Sequence, residues 1–403
     1  MTPEMPSPSP TRPSIPRTVW ALGFVSLFMD LSSELVHALL PVFLVTTMAM
    51  SVTALGLLEG IAEATALIVK VFSGPLSDSL GRRKGLLLLG YGLAALTKPL
   101  FPLATSPGGV ITARLLDRVG KGIRGAPRDA LVADVAPPEI RGACFGLRQS
   151  MDTIGAFLGP ALAIALMFWL TDHIRTVLWC AVAPAFIAIG LIAFGIDESG
   201  HATARRAFRS PLRWSVLHEF PARYWVVLVI GATFTLARFS EAFLVLRAQQ
   251  TGLELAWIPG VMVVMSLAYS LSAYPVGVLS DRLDRRLLLA LGMVLLIAAD
   301  LLLGMGHSVV SVFVGIAIWG LHMGFTQGIL AAMVSETAPS TLRGTAFGAF
   351  NLACGVCVLL ASALAGWLWD RFGAPTTFLT GAAIVLVPLL LCGLAPRPAI
   401  HRA

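Results

Sequence analysis

From residue 18 onward the chain is a succession of long apolar runs, interrupted at short intervals by clusters of Gly, Pro and charged residues. At about 20 apolar residues per membrane crossing, the runs divide into twelve predicted helices, at roughly 18–47, 52–76, 85–104, 108–133, 143–170, 175–194, 223–249, 254–279, 286–304, 308–335, 342–369 and 375–395. The pattern predicts an all-α polytopic membrane protein. Residues 1–17, MTPEMPSPSPTRPSIPR, are rich in Pro and Ser with no apolar core, which reads as a disordered tail and not a signal peptide. Residues 197–222 hold several Arg and little apolar run and read as a linker, and 396–403 form a second tail.

The fourth run departs from the pattern. ARLLDRVGKGIRGAPRDALVAD, from Ala113 to Asp134, sits where a membrane helix belongs and is loaded with charge. At about 100° per residue, Arg114, Arg118, Lys121, Arg124 and Arg128 fall on one arc of roughly 120°, a basic stripe inside a bundle. A charge at the bilayer centre costs from about 3 to more than 10 kcal/mol, so it persists only when paired, hydrated or functional. Other runs hold the partners. Asp30, Glu34 and His37 share one face of the first, and Glu59, Glu63 and Lys70 one face of the second. Lys98 lies in the third, and Arg148 and Asp152 stand one turn apart in the fifth. Acids and bases are close to balanced, as a cavity lined by mutually paired charges requires.

Composition sharpens the class. With 57% hydrophobic and 13% charged residues and a mean hydropathy of +0.83, the chain lies far from soluble proteins, which carry about 25% charge. Lys and Arg gather in alternate loops, for example Arg82, Arg83 and Lys84, then Arg205, Arg206 and Arg209, then Arg282, Arg285 and Arg286. The positive-inside rule then places both termini in the cytoplasm and the chain in the inner membrane. The net charge of +7 describes a face apposed to anionic lipid, not a nucleic-acid surface. Cys354-x-x-Cys357 has no second pair or His cluster beside it and reads as helix packing, so no metal is expected. No Ser/His/Asp set or phosphate loop is present, which argues against an enzyme and against a cofactor.

The chain also repeats itself. GPLSDSLGRRK at Gly74–Lys84 returns as GVLSDRLDRRL at Gly277–Leu287, offset by 203 between Asp78 and Asp281. VADVAPPEIRGACFG at Val132 returns as VSETAPSTLRGTAFG at Val334, offset by 202. Two matches at nearly one spacing predict two homologous halves of six helices, 18–196 and 223–395. At the same offset, Arg114, Asp117, Arg118, Lys121 and Arg124 correspond to Ile316, Trp319, Gly320, Met323 and Thr326, so one half alone carries the stripe. The facing half offers Arg238, Glu241, Asp300, His322 and Gln327.

A cavity with one ionisable and one apolar wall suits an amphipathic or anionic organic solute, with Arg as the bidentate holder of carboxylate or phosphate. Its candidate residues are Arg114, Asp117, Arg118, Lys121, Arg124, Arg148, Asp152, Arg238 and Glu241. Asp30, Glu34, Glu59, Glu63 and His322 are the candidates to carry a coupling proton.

These residues carry a family resemblance. Gly74-x-Leu76-Ser77-Asp78-x-x-Gly81-Arg82-Arg83-Lys84 resembles the signature of the major facilitator superfamily between its second and third helices. Arg114 with Asp134 twenty residues on fits a second pattern of that superfamily, with Arg118 where the usual pattern has Gly. Gly155, Gly159 and Pro160 fit the start of its antiporter pattern, which here ends in Ala163 and Ile164. The run Asp117-Arg118-x-Gly120-Lys121-Gly122-x-Arg124-x-x-Pro127-Arg128-Asp129 resembles a prokaryotic subgroup. The resemblance implies two six-helix halves around a central site near the membrane midplane, working by alternating access as a monomer. It also implies a cytoplasmic latch, holding an outward-open state, built from Gly74, Asp78, Gly81, Arg82, Arg83 and Asp134 and from Asp281, Arg285 and Glu336. The expected function is proton-coupled export of a small organic solute. One alternative is a proton symporter importing an organic anion; another is a non-transporting receptor or assembly protein on the same scaffold.

Overall fold

A computed structural model of the chain describes residues 14–137, 140–170, 173–196, 218–280, 282–339 and 342–394. Most of both expected tails, most of the expected linker and Asp281 lie outside the described residues.

The apolar runs become helices: α1 Arg17–Val42, α2 Val52–Leu80, α3 Lys84–Thr97, α4 Leu100–Leu103, α5 Pro107–Val135, α6 Arg141–Trp169, α7 Ile174–Cys180, α8 Val182–Gly195, α9 Ala222–Ala237, α10 Ala242–Gln250, α11 Gly260–Ser280, α12 Arg285–Met305, α13 Val309–Thr337, α14 Arg343–Phe372 and α15 Ala374–Leu394. Pairs α3/α4, α7/α8 and α9/α10 each make one crossing, so the helices form twelve crossings in an all-α membrane fold. Eleven of these are long and apolar enough by composition to span a bilayer. The other, α5, has the length but also the charged stripe, and it stays in the bundle because its charges find partners there.

Local chemistry sets several ends. The Ser51 side chain accepts from Ala54 N at 3.2 Å to cap α2, and Gly81, at φ 64°, stops it in a left-handed conformation that favours glycine. Ser308 and Ser311 form a capping box at the start of α13. Large apolar side chains such as Trp169, Phe194, Leu271 and Leu390 stay exposed on the outside of the bundle, where hydrocarbon would replace water at no cost.

In the first six crossings α1 packs on α6 and α8, and α5 packs on α2 and α3. The contact between α3 and α5 is backbone on backbone. A β-carbon on Gly120 would lie 2.6 Å from the Gly90 carbonyl oxygen, and one on Gly90 2.8 Å from that of Gly120. In the last six, α12 packs on α13 and α15, α11 on α13, and α9 on α14 and α15.

The two sets of six meet chiefly through α2 and α14, and these two helices diverge along their length. Near the start of α2, which is the end of the bundle opposite the termini, Gly56 meets the Ser362 carbonyl. There a β-carbon on Gly366 would lie 2.6 Å from Val52 O, and one on Gly60 2.9 Å from Leu359 Cα. A β-carbon on Gly355 would lie 3.7 Å from Ala64 Cα, an ordinary contact, and beyond it the helices separate around a cavity. Asp370, at the end of α14, closes the tight end by accepting from Thr53 N at 2.7 Å, Thr53 Oγ1 at 2.6 Å and Val52 N at 3.2 Å. Phe168 packs edge-on against Trp257 at the same end, with ring centroids 5.3 Å apart.

Candidate functional site

The cavity between α1, α2 and α5 on one side and α9, α13 and α14 on the other has a volume of about 590 Å³, within the range of sites that hold small organic ligands. Its first wall is ionisable: Glu34, His37, Glu59, Glu63, Lys70, Arg118 and Lys121. Its second wall holds Phe234, Phe239, Phe347, Phe350 and Leu330 with a few polar groups, among them Arg238, Glu241, Gln327 and Asn351.

The polar positions of the second wall come from an interruption. The seventh crossing stops being helical after Ala237 and resumes at Ala242, so Arg238, Phe239, Ser240 and Glu241 are presented to the cavity by non-helical chain. Ser362 Oγ accepts from Ser240 N at 3.2 Å and satisfies one backbone group that the break leaves over.

On the first wall, α5 sends its bases to different helices. Arg114 grips Glu59 of α2 with both arms of its fork, Nε at 3.0 Å and Nη2 at 2.6 Å, with both side chains almost fully buried. His37 stands beside this pair, Nδ1 at 3.3 Å from Glu34 and Nε2 at 3.9 Å from Glu59. One turn on, Arg118 reaches Glu63 at 3.2 Å; Arg118 is 3% exposed but Glu63 is 35% exposed toward the cavity. Arg124 turns to Asp30 at 4.0 Å and stacks 4.4 Å from the centroid of the Tyr91 ring. Arg128 reaches Asp152 at 3.3 Å and Ser26 at 3.2 Å, and Arg148 lies 3.5 Å from Asp152. Asp117 is taken by Lys98 at 2.8 Å, deep between α3 and α5.

Of the nine residues nominated for the cavity, Arg118, Lys121, Arg238 and Glu241 therefore line it, whereas Arg114, Asp117, Arg124, Arg148 and Asp152 lie off its surface. The reason is the position of α2 and α3: Glu59 covers Arg114, and Lys98 draws Asp117 to the far side of α5. Of the nominated proton carriers, Glu34, Glu59 and Glu63 reach the cavity and Asp30 and His322 do not. His322 is fully buried, edge-on to Trp319 at 5.2 Å between ring centroids and to Phe234 at 6.2 Å.

Lys70, Lys121 and Arg238 face the cavity without a carboxylate within 4 Å among the described residues, and Glu241 is likewise without an ion-pair partner. Pairing thus leaves three cations against Glu241 alone when His37 is protonated and pairs with Glu34, and against Glu241 and Glu34 when it is neutral. No signal in the sequence separates Lys70 and Lys121 from the paired charges, since all of these lie on helices of similar pattern.

At the terminal end, Arg83 donates to Asp134 at 2.6 Å, Asp78 at 3.1 Å and Ser77 Oγ at 2.9 Å, tying the ends of α2 and α5. Gly74 faces Ala126 of α5 and Arg82 is exposed. Arg285 pairs with Glu336, joining α12 to α13. Asp370, which clamps the opposite end, was not among the nominated residues; its partners are more than 300 positions away and leave no local trace.

A family model described as Major Facilitator Superfamily matches residues 22–362. An uncharacterized MFS-type transporter of Methanocaldococcus jannaschii is 30% identical over 381 residues, 93% of this chain and 94% of that one. A probable 4-methylmuconolactone transporter of Cupriavidus pinatubonensis is 26% identical over 364 residues, 84% of this chain and 81% of that one. Among solved structures, a POT family transporter in complex with 5-aminolevulinic acid superposes with a TM-score of 0.79 at 12% identity, covering 93% of this chain and 95% of that one.

Proposed function

The chain belongs to the major facilitator superfamily, and from that premise we propose that it is a proton-coupled carrier of a small organic anion with an apolar body, working in the inner membrane with both termini in the cytoplasm. The observation that carries the reading is the charge surplus in the cavity: Lys70, Lys121 and Arg238, none with a carboxylate within 4 Å among the described residues, stand opposite an aromatic wall of Phe234, Phe239, Phe347 and Phe350. Cations not tied into an ion pair attract an anion, and the rings bury its carbon skeleton. The muconolactone carrier in the family is a relative whose name fits such a solute.

Coupling follows from the Arg118–Glu63 pair. Glu63 is part-exposed to the cavity, and its carboxylate occupies the guanidinium that a solute carboxylate would use. Protonating Glu63 frees Arg118, so proton and anion bind synergistically and, by linkage, each raises the affinity for the other. That geometry favours symport over the export that the partial antiporter pattern suggests. Positive-inside orientation puts the open end of the cavity toward the cytoplasm and Asp370 at the outer gate, with alternating access exchanging which end is closed.

Export remains the second reading. It is favoured by the antiporter-like stretch at Gly159, packed so closely on α1 that a β-carbon there would lie 2.7 Å from Leu31 O. It is favoured too by a membrane potential that drives anions outward by about 2.3 kcal/mol per charge per 100 mV. Liposomes holding the purified protein, offered radiolabelled benzoate and a panel of aromatic carboxylates, separate the two. Accumulation under an inward proton gradient, abolished by a protonophore, supports symport. Accumulation only under the reversed gradient supports export, and no gradient-driven movement of any panel member removes the anion reading.

A further inference from the structure

Behind the aromatic wall lies a carboxylate that the cavity does not use. Asp300 on α12 is 0% exposed, and neither of its side-chain oxygens has a hydrogen-bond partner among the described residues. It meets two other groups at Gly381 of α15, the Phe239 ring and the Ala237 carbonyl. A β-carbon placed there would lie 2.9 Å from Asp300 Oδ2, 3.1 Å from the Phe239 ring and 3.4 Å from the Ala237 carbonyl oxygen. The Phe239 ring packs in turn on Trp319 at 5.5 Å, and Trp319 on His322 at 5.2 Å. The Trp319 indole nitrogen and both His322 ring nitrogens are also without partners among the described residues.

Among the described residues no cation lies within 4 Å of Asp300, and buried Arg247 of α10, one turn along, is committed to the Leu303 and Gly306 carbonyls of α12. The helices α11 and α15 carry no charged side chain, α13 brings only His322 nearby, and Arg238 and Glu241 of the helix break point into the cavity. An isolated ionised carboxylate in such a place is far more costly than a neutral one, and it takes a proton instead. A metal cation is a poorer fit, because Ca²⁺-like or Mg²⁺-like shells need about six oxygens and this pocket presents two from Asp300 and the Ala237 carbonyl. The neutral acid needs only one acceptor, and the last carbonyls of an interrupted helix lack intrahelical partners.

We propose that Asp300 is a proton-binding site of the transport cycle, carrying its proton behind Phe239 in this state and exchanging it with the cavity through the Arg238–Glu241 break when that ring moves. The inference rests on the proton-coupled reading above and adds a second site to it, on the opposite wall from Glu63. Discontinuous helices are where membrane carriers bring backbone carbonyls to coupling ions, and here the interruption in the seventh crossing and the carboxyl both border Gly381.

Infrared spectroscopy of the reconstituted protein at about neutral pH tests the protonation. The wild type should show a protonated-carboxyl C=O band that Asp300→Asn removes, with thermal stability retained because Asn mimics the neutral acid in size. Phe239→Ala should keep the band and speed its shift in deuterated water at least tenfold. A band unchanged by Asp300→Asn, or exchange indifferent to Phe239→Ala, overturns the site. In liposomes Asp300→Asn should retain solute exchange and lose proton-driven accumulation. If the wild type and Asp300→Asn accumulate equally, only the Asp300 inference fails; if the wild type shows no proton-driven accumulation, the coupled reading itself fails. Should Asp300→Asn not fold, Phe239→Ala and the wild-type band still decide.

Discussion

Glu59 and Asp300 are both almost wholly buried in membrane helices, one on the ionisable wall of the cavity and the other behind its aromatic wall, and their surroundings could hardly differ more. Glu59 is held by two bonds from Arg114 with His37 alongside. Asp300 has no hydrogen-bond partner among the described residues and sits by Gly381, next to which the Phe239 ring and the Ala237 carbonyl also lie. A buried charge with a fitted partner is part of the scaffold, while a buried acid without one persists at a cost that folding alone does not justify. The polar wall therefore divides into paired residues that hold helices together and a few free or hydrated ones, Lys70, Lys121 and Glu63, that are available to a solute. Total charge in a membrane segment is a weaker guide to function than charge left over after pairing.

The largest effect should come from breaking the fitted pair. Arg114→Ala strands the Glu59 carboxylate and should destabilise the protein by about 3–5 kcal/mol, seen as loss of monodisperse protein after extraction. Replacing both residues by Leu should restore most of the yield, because it removes both desolvation costs together. If Arg114→Ala alone were as stable as wild type, Glu59 would be hydrated, and the distinction between the two carboxylates would collapse.

Arg118 lies one turn along the same helix and should behave differently. Its partner Glu63 already faces the cavity, so in Arg118→Ala the carboxylate regains water and stability should fall by about 1 kcal/mol or less. Binding should fall much further. Arg118→Lys keeps the charge without the fork and should also bind aromatic carboxylates weakly. The check is ligand-induced thermal stabilisation of each variant by the best carboxylate of the panel. A normal stabilisation of Arg118→Ala would remove Arg118 from the site.

The difference between Arg114 and Arg118 also marks how far the sequence can be read. Twelve crossings are legible because run length and bilayer thickness match, and α5 is recognisable despite its charge because its bases share one helical face. That face is legible; what covers it is not. Arg114 and Arg118 are about 40° apart on the helix, and only the position of α2 decides that Glu59 closes over one and leaves the other beside the cavity. The interruption after Ala237 falls within an apolar run whose Arg238, Ser240 and Glu241 are visible as polar insertions. Their effect on the backbone is not, since a helix can carry such residues. Asp370 has no local signature at all, because a cap supplied to Thr53 from another helix is a purely tertiary event.

The two ends of the bundle give a smaller and unequal pair of effects. Asp370→Asn keeps the size of the side chain but weakens charge-assisted caps on α2, worth about 1 kcal/mol, and should shift the two-state equilibrium toward opening at that end by about fivefold. At the other end, Asp78→Asn loosens a link to Arg83 that lies within the first half and is already intact with this end open, so it should shift the equilibrium much less, the more so since Asp134 still holds Arg83. With Cys354, which lines the cavity, as the sole cysteine, impermeant maleimide applied from each side of the membrane reads both shifts. Equal labelling rates in both variants and the parent would show that neither carboxylate biases the equilibrium.

The smallest effect on stability belongs to Lys121, and there the contrast between paired and free charge is sharpest. Its side chain is exposed in the cavity and has no carboxylate within 4 Å among the described residues, so Lys121→Gln should leave the thermal midpoint unchanged. What it removes is attraction for an anion across hydrated space, about 0.5–1 kcal/mol at a solvated site, or a two- to fivefold loss of affinity. That loss should shrink as salt is raised, because exposed charges are screened over about 10 Å at 0.1 M. It should spare any neutral amide analogue of the same carboxylate, and Lys121→Arg should restore the wild-type value. Titrations of the carboxylate and its amide against the three proteins at low and high salt read all of this at once. A loss equal for amide and carboxylate would mean that Lys121 shapes the cavity and that its charge is incidental.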